Sequence, residues 1–169
     1  ELENKCIQDQ PPGCTAACPV HVDVRSFNKE IKAGNISAAF SIFAKAVVFP
    51  KIVGHICHHP CENQCKRNEI DEPVSIHELE KYCVKNAVVK KRPLPVKKPK
   101  FKVAILGGGL CGLTAAVELA KKGYAITMYE AGSQLGGELL YIPENVLPKG
   151  VLQEELQMVN TLGIEVVYS

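Results

Sequence analysis

Two hydrophobic periods run along this chain, and one gives way to the other near residue 90. In the first part apolar residues recur at helical spacing. Asp23 can cap a helix through VRSFNKEIKAGN, with Val24, Phe27 and Ile31 on one face and Gly34 near its end. Next, ISAAFSIFAKAVVF puts Ile36, Phe40 and Phe43 on a common face, and Pro50 is expected to stop that helix. Ser75 and Glu78 form a capping-box pair ahead of IHELEKYCVKNAVV. Strand signals are absent. The pattern predicts a small all-α domain over residues 1–89 with few large apolar residues per helix. A core that thin often depends on metal staples.

In the second part the period changes. VAIL reads as a buried strand, GGGLCG as a glycine loop, LTAAVELAKKG as a helix and YAITMYE as a second strand. This is a βαβ unit over 102–169, where a doubly wound sheet would begin. Between the parts, residues 90–101 carry prolines and like charges (KKRPLPVKKPKFK from Lys90 to Lys102), which deny a regular element. A solvated linker fits them best. A single-stranded nucleic-acid site would want interleaved aromatics for stacking, and only Phe101 is present.

Composition changes this picture little. The chain has 169 residues, 46% of them hydrophobic, and a net charge of +2, so no global field calls for nucleic acid or a membrane. Its apolar runs are too short to span a bilayer, and none opens the chain as a signal peptide would. It begins at Glu1 and stops at Ser169 soon after the strand-like IEVVY, which suggests a piece of a longer protein.

The cysteines change it more. There are eight: Cys6, Cys14 and Cys18 form one group, Cys57, Cys61 and Cys65 a second, and Cys83 and Cys111 stand apart. Helical patterns beside a nucleotide-binding motif argue for the cytoplasm, where clustered cysteines hold metal more often than they form disulfides. The second group reads GHICHHPCENQC, so His55, His58 and His59 are further candidates and spacing alone leaves zinc open. The first, CIQDQPPGCTAACP, ends in Cys-Pro and leans toward iron–sulfur.

In the glycine loop, Gly107, Gly109 and Gly112 satisfy G-x-G-x-x-G between a strand and a helix, and Glu130 ends the next strand about 20 residues on. Gly107 allows the tight turn, Gly109 the approach of a pyrophosphate, and Gly112 close helix–strand packing. The helix N-terminus then offers free N–H groups to phosphates. Glu130 would accept hydrogen bonds from ribose hydroxyls, which favours FAD or NAD over NADP at this site. The rival reading is a glycine turn that holds no ligand.

Taken together these segments resemble the N-terminal part of the glutamate synthase small subunit, dihydropyrimidine dehydrogenase and related NAD(P)H-dependent flavin and iron–sulfur oxidoreductases. The resemblance rests on the first cysteine run, CPVHVDV, the G-x-x-C-x-x-P-C-E-x-x-C run, PVSIHELEKY, the glycine fingerprint and LGGELLYIPENVLPK, with Val146 where arginine is usual. It implies an all-α, α-helical-ferredoxin-like iron–sulfur domain, followed by the first βαβ part of a Rossmann-like FAD-binding domain. It favours FAD over NAD in the glycine loop, at Gly107, Gly108, Gly109, Leu110, Cys111, Gly112 and Glu130, with Gly136 and Gly137 passing near the flavin.

Carried over position by position, the resemblance implies up to two [4Fe–4S] clusters. One would use Cys6, Asp9, Cys14 and Cys65, the other Cys18, Cys57, Cys61 and Glu80. Asp9 stands where the family has cysteine. A carboxylate is a harder iron ligand than a thiolate, so that site could hold a cluster with a labile iron, a [3Fe–4S] cluster or nothing. Asp9 could equally begin a polar turn before Pro11–Pro12. Cys83, one turn beyond Glu80, is a rival fourth ligand or a small buried thiol. His21 and His55 are expected to hydrogen-bond near a cluster, where a donor raises its potential, or to lie exposed.

The implied reaction has NAD(P)H reduce FAD, and single electrons then pass through the clusters to a catalytic partner subunit or domain. No catalytic acid, base or nucleophile is visible, and these residues alone are expected not to turn over. No nucleic-acid or membrane partner is expected. Two alternatives stand beside this reading: a zinc-stabilised or cluster-free helical module that docks a partner, and a simple ferredoxin-type carrier, which the glycine fingerprint opposes.

Overall fold

The computed structural model describes Cys6, residues 11–88 and residues 101–169. Asp9, and all of the expected linker except Phe101, lie outside the described residues. The chain divides into two compact units, Glu1–Val89 and Lys90–Ser169.

Among its described residues the first unit is helical. Its elements are α1 (Gly13–Ala17), α2 (Val24–Lys32), α3 (Ile36–Ala46), α4 (Pro50–Ile56), α5 (Pro60–Asn63), a 3-10 turn (Lys66–Glu69) and α6 (Ile76–Asn86). Asp23 caps α2 as its sequence predicts, its Oδ1 accepting the Ser26 N–H at 3.1 Å. α2 packs on α3, α3 and α4 pack on α6, and α1 packs on α5. Their buried faces bring Val24, Phe27, Phe40, Phe43 and Ile76 into one core. Cys14, Cys61 and Cys83 belong to the same core, so thiols supply part of its small apolar volume.

Two local expectations are corrected in this unit. α3 ends at Ala46, with Val47 extended, and Pro50 does more than stop a helix: it occupies the first turn of α4. Proline suits that position because its missing N–H would have no partner there. The Ser75–Glu78 capping box does not form. Ser75 is the N-cap but makes no side-chain bond, Glu78 turns to Lys81 at 2.9 Å, and Glu62 from α5 accepts the His77 N–H at 2.9 Å. A residue distant in sequence has taken the capping role.

The second unit is a parallel three-stranded sheet in the order β1 (Lys102–Leu106), β2 (Ala125–Glu130), β3 (Glu165–Tyr168). β1 pairs with β2 in the register Val103↔Ile126, and β2 with β3 in the register Met128↔Val166. α7 (Leu110–Lys121) links β1 to β2, and a 3-10 turn (Gly137–Tyr141) and α8 (Lys149–Thr161) link β2 to β3. Ile126 and Met128 alternate into a core with Leu113, Ala116 and Val117 of α7, and Leu152 and Val159 of α8 are buried too. Here too the sequence expectation needs correction, because VAIL is not a fully buried strand. β1 lies at the sheet edge with only alternate positions half-buried, and Leu106 is 83% exposed.

No single helix among the described residues is long and apolar enough to cross a membrane. Only together do α3 and α4 have the length and apolar content of a span, but they bend by 89° and bury Phe40, Phe43 and Ile52.

Candidate cluster sites and dinucleotide loop

Cysteines interleaved along the chain sort into two places in the fold. Cys6, Cys14 and Cys65 line one cavity of about 70 Å³, together with Arg25 and Asn28 of α2. The approach is close because Gly13 lies against α5: a Cβ on Gly13 would sit 3.0 Å from the Gln64 carbonyl oxygen. That contact sets Cys14 beside the segment carrying Cys65. Burial pushes the Cys14 thiol above its usual range, and the nearby Cys6 adds to the effect. Arg25 donates to the Cys6 carbonyl at 3.3 Å, and Asn28 Oδ1 is buried without a hydrogen-bond partner. Asp9, the fourth candidate here, lies outside the described residues.

Cys18, Cys57, Cys61 and Glu80 form the second group. Cys57 ends α4, where the turn delivers the His59 N–H to its Sγ at 3.3 Å. Cys61 is buried on α5, and its thiol is pushed up to about 12 by burial first and then by Glu80 and Cys57. Burial and the same carboxylate raise Cys57, with Cys18 close enough to contribute. Glu80 is 6% exposed, and burial followed by Glu62 pushes its carboxyl up to about 7. Cys83 is fully buried in the apolar core one turn along α6, its thiol pushed up to about 11 by burial and then by Glu80.

This donor chemistry suits an iron–sulfur group. Buried thiols close to carboxylates resist losing a proton, and a bound metal ion reverses that balance because its charge favours the thiolate outright. Three soft sulfurs at each place match what such clusters prefer. The amide on Cys57 Sγ is the kind of donor that tunes a cluster's potential.

One residue at the second group was missed from sequence. His77, on the first turn of α6, is 9% exposed, and its Nδ1 is buried without a hydrogen-bond partner. The ligand atoms of Cys57, His77 and Glu80 all lie within 4.8 Å of one another. Burial first, then the charges of Lys81 and His59, hold the His77 imidazole below its ordinary pKa. The available signal was spacing, since His77 precedes Glu80 by three residues and so shares its helix face. Of the histidines singled out from sequence, His59 borders this group through its N–H on Cys57 Sγ, and none of them joins the Cys57–His77–Glu80 set. His21 and His55 use Nδ1 on the carbonyls of Thr15 (3.3 Å) and Lys51 (2.7 Å), His58 is exposed, and His59 pairs with Glu62 at 3.1 Å.

The dinucleotide loop is built from backbone instead. Gly107 has φ +93°, a left-handed conformation that turns the chain from β1 toward α7. A Cβ on Gly112 would fall 2.0 Å from the Gly107 carbonyl oxygen, so only glycine lets the helix approach the turn. Around Gly109 the reverse holds: nothing lies within 4 Å of a Cβ there, leaving a cradle open to a phosphate at the start of α7. Leu110 and the exposed Cys111 form the first turn of that helix. Glu130 uses Oε2 on the Gly108 N–H and Oε1 on the Gly132 N–H, each at 2.6 Å, and those amides hold its carboxyl below the usual range. Gly136 donates to the Gly108 carbonyl at 2.9 Å, and Gly137 packs on Gly109, so the second glycine pair braces the first.

A helical unit with two groups of thiols, followed by a glycine-loop βαβ unit, defines a cysteine-rich iron–sulfur domain joined to a Rossmann-like dinucleotide-binding fold. The model of the family described as dihydropyrimidine dehydrogenase domain II, 4Fe-4S cluster, matches residues 2–92, and the chain belongs to that family. Residues 105–154 match the NAD(P)-binding Rossmann-like domain.

Curated relatives agree. The NADPH-Fe(3+) oxidoreductase subunit beta of Geobacter sulfurreducens is 32% identical over 92% of this chain and 24% of its own length. The glutamate synthase [NADPH] small chain of Bacillus subtilis is 31% identical, over 92% of this chain and 32% of its own length. In Salmonella typhimurium the NAD-dependent dihydropyrimidine dehydrogenase subunit PreT is 29% identical, over 96% of this chain and 41% of its own length. The chain therefore spans less than half of each relative, and their names are those of an oxidoreductase subunit, an NADPH-linked synthase chain and an NAD-dependent dehydrogenase subunit.

Proposed function

We propose that this chain is the cluster-bearing and first flavin-binding portion of an NAD(P)H-dependent oxidoreductase that delivers electrons to a partner subunit or domain. The observation that carries the reading is the sorting of interleaved cysteines into two spatial groups, in a chain that also holds a complete glycine fingerprint. Cys6, Cys14 and Cys65 would hold one [4Fe–4S] cluster, with Asp9 as its fourth ligand. Cys18, Cys57 and Cys61 would hold the other, with the fourth position facing Glu80. Gly107 to Gly112 would cradle the pyrophosphate of FAD, Glu130 would meet its ribose, and Gly136–Gly137 would run beside the flavin.

Held by the glycine loop, FAD would supply the conversion of a hydride from NAD(P)H into single electrons, and the two cysteine groups would hold the clusters that take them onward. The work of this chain is to position those groups and to set their potentials through thiolate count, burial and amide donors. That all eight cysteines are free suits a reducing compartment such as the cytoplasm. Residues 1–169 alone are expected to have no NAD(P)H oxidation activity, in keeping with relatives several times longer.

The test is anaerobic titration of the intact protein with NADH and with NADPH, followed by visible absorption and EPR. The expected outcome is flavin bleaching accompanied by signals of reduced clusters. Tightly bound zinc without acid-labile sulfide would instead identify a zinc-stapled docking module.

A further inference from the structure

We propose that His77 supplies an imidazole nitrogen as the fourth ligand of the second cluster, in the position that the family resemblance gives to Glu80. The inference rests on the cluster reading of Cys18, Cys57 and Cys61 given above. Its carrying observation is a buried ring whose Nδ1 has no partner, on a side chain whose ligand atom lies within 4.8 Å of those of both Cys57 and Glu80. A buried nitrogen left without a partner costs stability, and such groups persist where a ligand completes them.

The ring is also held from several sides. It stacks on His59, with centroids 5.0 Å apart and planes at 27°. His59 itself is fixed in a left-handed conformation (φ +42°) and paired to Glu62 at 3.1 Å. Glu62 reaches back with its other oxygen to the His77 N–H at 2.9 Å. One carboxylate therefore clamps both the stacking partner and the backbone of His77. That arrangement positions a donor as a supporting shell does around a metal ligand.

Ligand chemistry favours the imidazole over the neighbouring carboxylate. Iron in iron–sulfur clusters accepts imidazole ligands, whereas a carboxylate is a harder donor for soft, sulfide-bound iron. A neutral imidazole also leaves the cluster less negative than a carboxylate would, which raises its reduction potential. Glu80 is then a neighbour of the cluster and not its ligand.

The experiment uses the intact protein, loaded anaerobically with ferrous iron and sulfide, reduced, and labelled with 15N-histidine. Iron and acid-labile sulfide analysis reads whether the second site holds a cluster, and pulsed EPR reads whether a histidine nitrogen is bonded to it. We expect a strongly coupled histidine nitrogen that disappears in His77→Ala and survives in Glu80→Gln, with a lower potential for that cluster in His77→Ala. The wild-type measurement needs no variant, so a poorly folded His77→Ala protein leaves the test intact. Sulfide-containing clusters without a strongly coupled histidine nitrogen would overturn the His77 assignment alone. A Glu80→Gln protein that loses the second cluster while His77→Ala keeps its spectrum would do the same. Metal bound without sulfide would overturn the cluster reading itself.

Discussion

The two units solve opposite problems of site construction. In the helical unit the candidate ligands are side chains gathered from elements far apart in sequence, and several also form the core: Cys14 and Cys61 pack with Phe27 and Phe43. In the βαβ unit the phosphate-binding surface is main chain within one strand–loop–helix, where the key residues are glycines, and Glu130 is the one acidic side chain assigned to the site. The first kind of site should therefore fail together with the fold around it. The second can lose its ligand while the fold stands.

The sharpest test of that contrast is Gly109→Val. A Cβ there meets nothing within 4 Å, so the unit should fold normally, yet the valine side chain fills the cradle meant for a pyrophosphate. Flavin content should fall to near zero while EPR cluster signals in the intact protein persist. Full flavin occupancy would break the loop assignment.

Phe27→Ala provides the counterpart in the helical unit. Phe27 is fully buried, and truncating such a ring costs about 3–5 kcal/mol. Iron and sulfide content should fall together with the thermal midpoint, whereas flavin content holds. A destabilised helical unit that keeps both groups of iron would contradict the coupling of core and site.

A smaller effect is expected from Gly13→Ala, whose Cβ would press on the Gln64 carbonyl at 3.0 Å. Overpacking of this kind costs about 1–3 kcal/mol. It should loosen the first cluster site before the second, read as faster loss of iron from Cys6, Cys14 and Cys65.

Weakest of the series is Asp23→Ala, which removes the α2 cap at about 1 kcal/mol near neutral pH. The Ser26 hydroxyl and amide hold the Asp23 carboxyl below its usual value. A depressed folded pKa means the stabilisation is present above the unfolded value, about 3.9, and is lost as pH falls through the folded one. Denaturation curves of wild type and variant should therefore converge in acid.

The contrast also explains how much was legible in the sequence. The glycine loop could be read almost completely, because Gly107, Gly109, Gly112 and Glu130 lie in one continuous βαβ segment and their spacing is the geometry. The helix periods and the Asp23 cap are local in the same sense. What was not legible depends on contacts between distant segments. Ser75 and Glu78 carry a capping box, yet Glu62 takes the α6 amide, because α5 packs where only the tertiary fold can place it. VAIL looks buried by composition, but its place at the sheet edge leaves Leu106 exposed. His77 escaped notice because a histidine among charged residues reads as surface. Its burial comes from its stack on His59 and from the neighbouring cysteine turns.

The most direct test of the central claim is anaerobic iron and acid-labile sulfide analysis with EPR, on the intact protein and its Cys57→Ser variant. The account predicts iron and sulfide in equal amounts, two sets of cluster signals in the wild type, and selective loss of one set in the variant. Zinc in place of iron, or a Cys57→Ser protein with its iron, sulfide and spectrum unchanged, would contradict it.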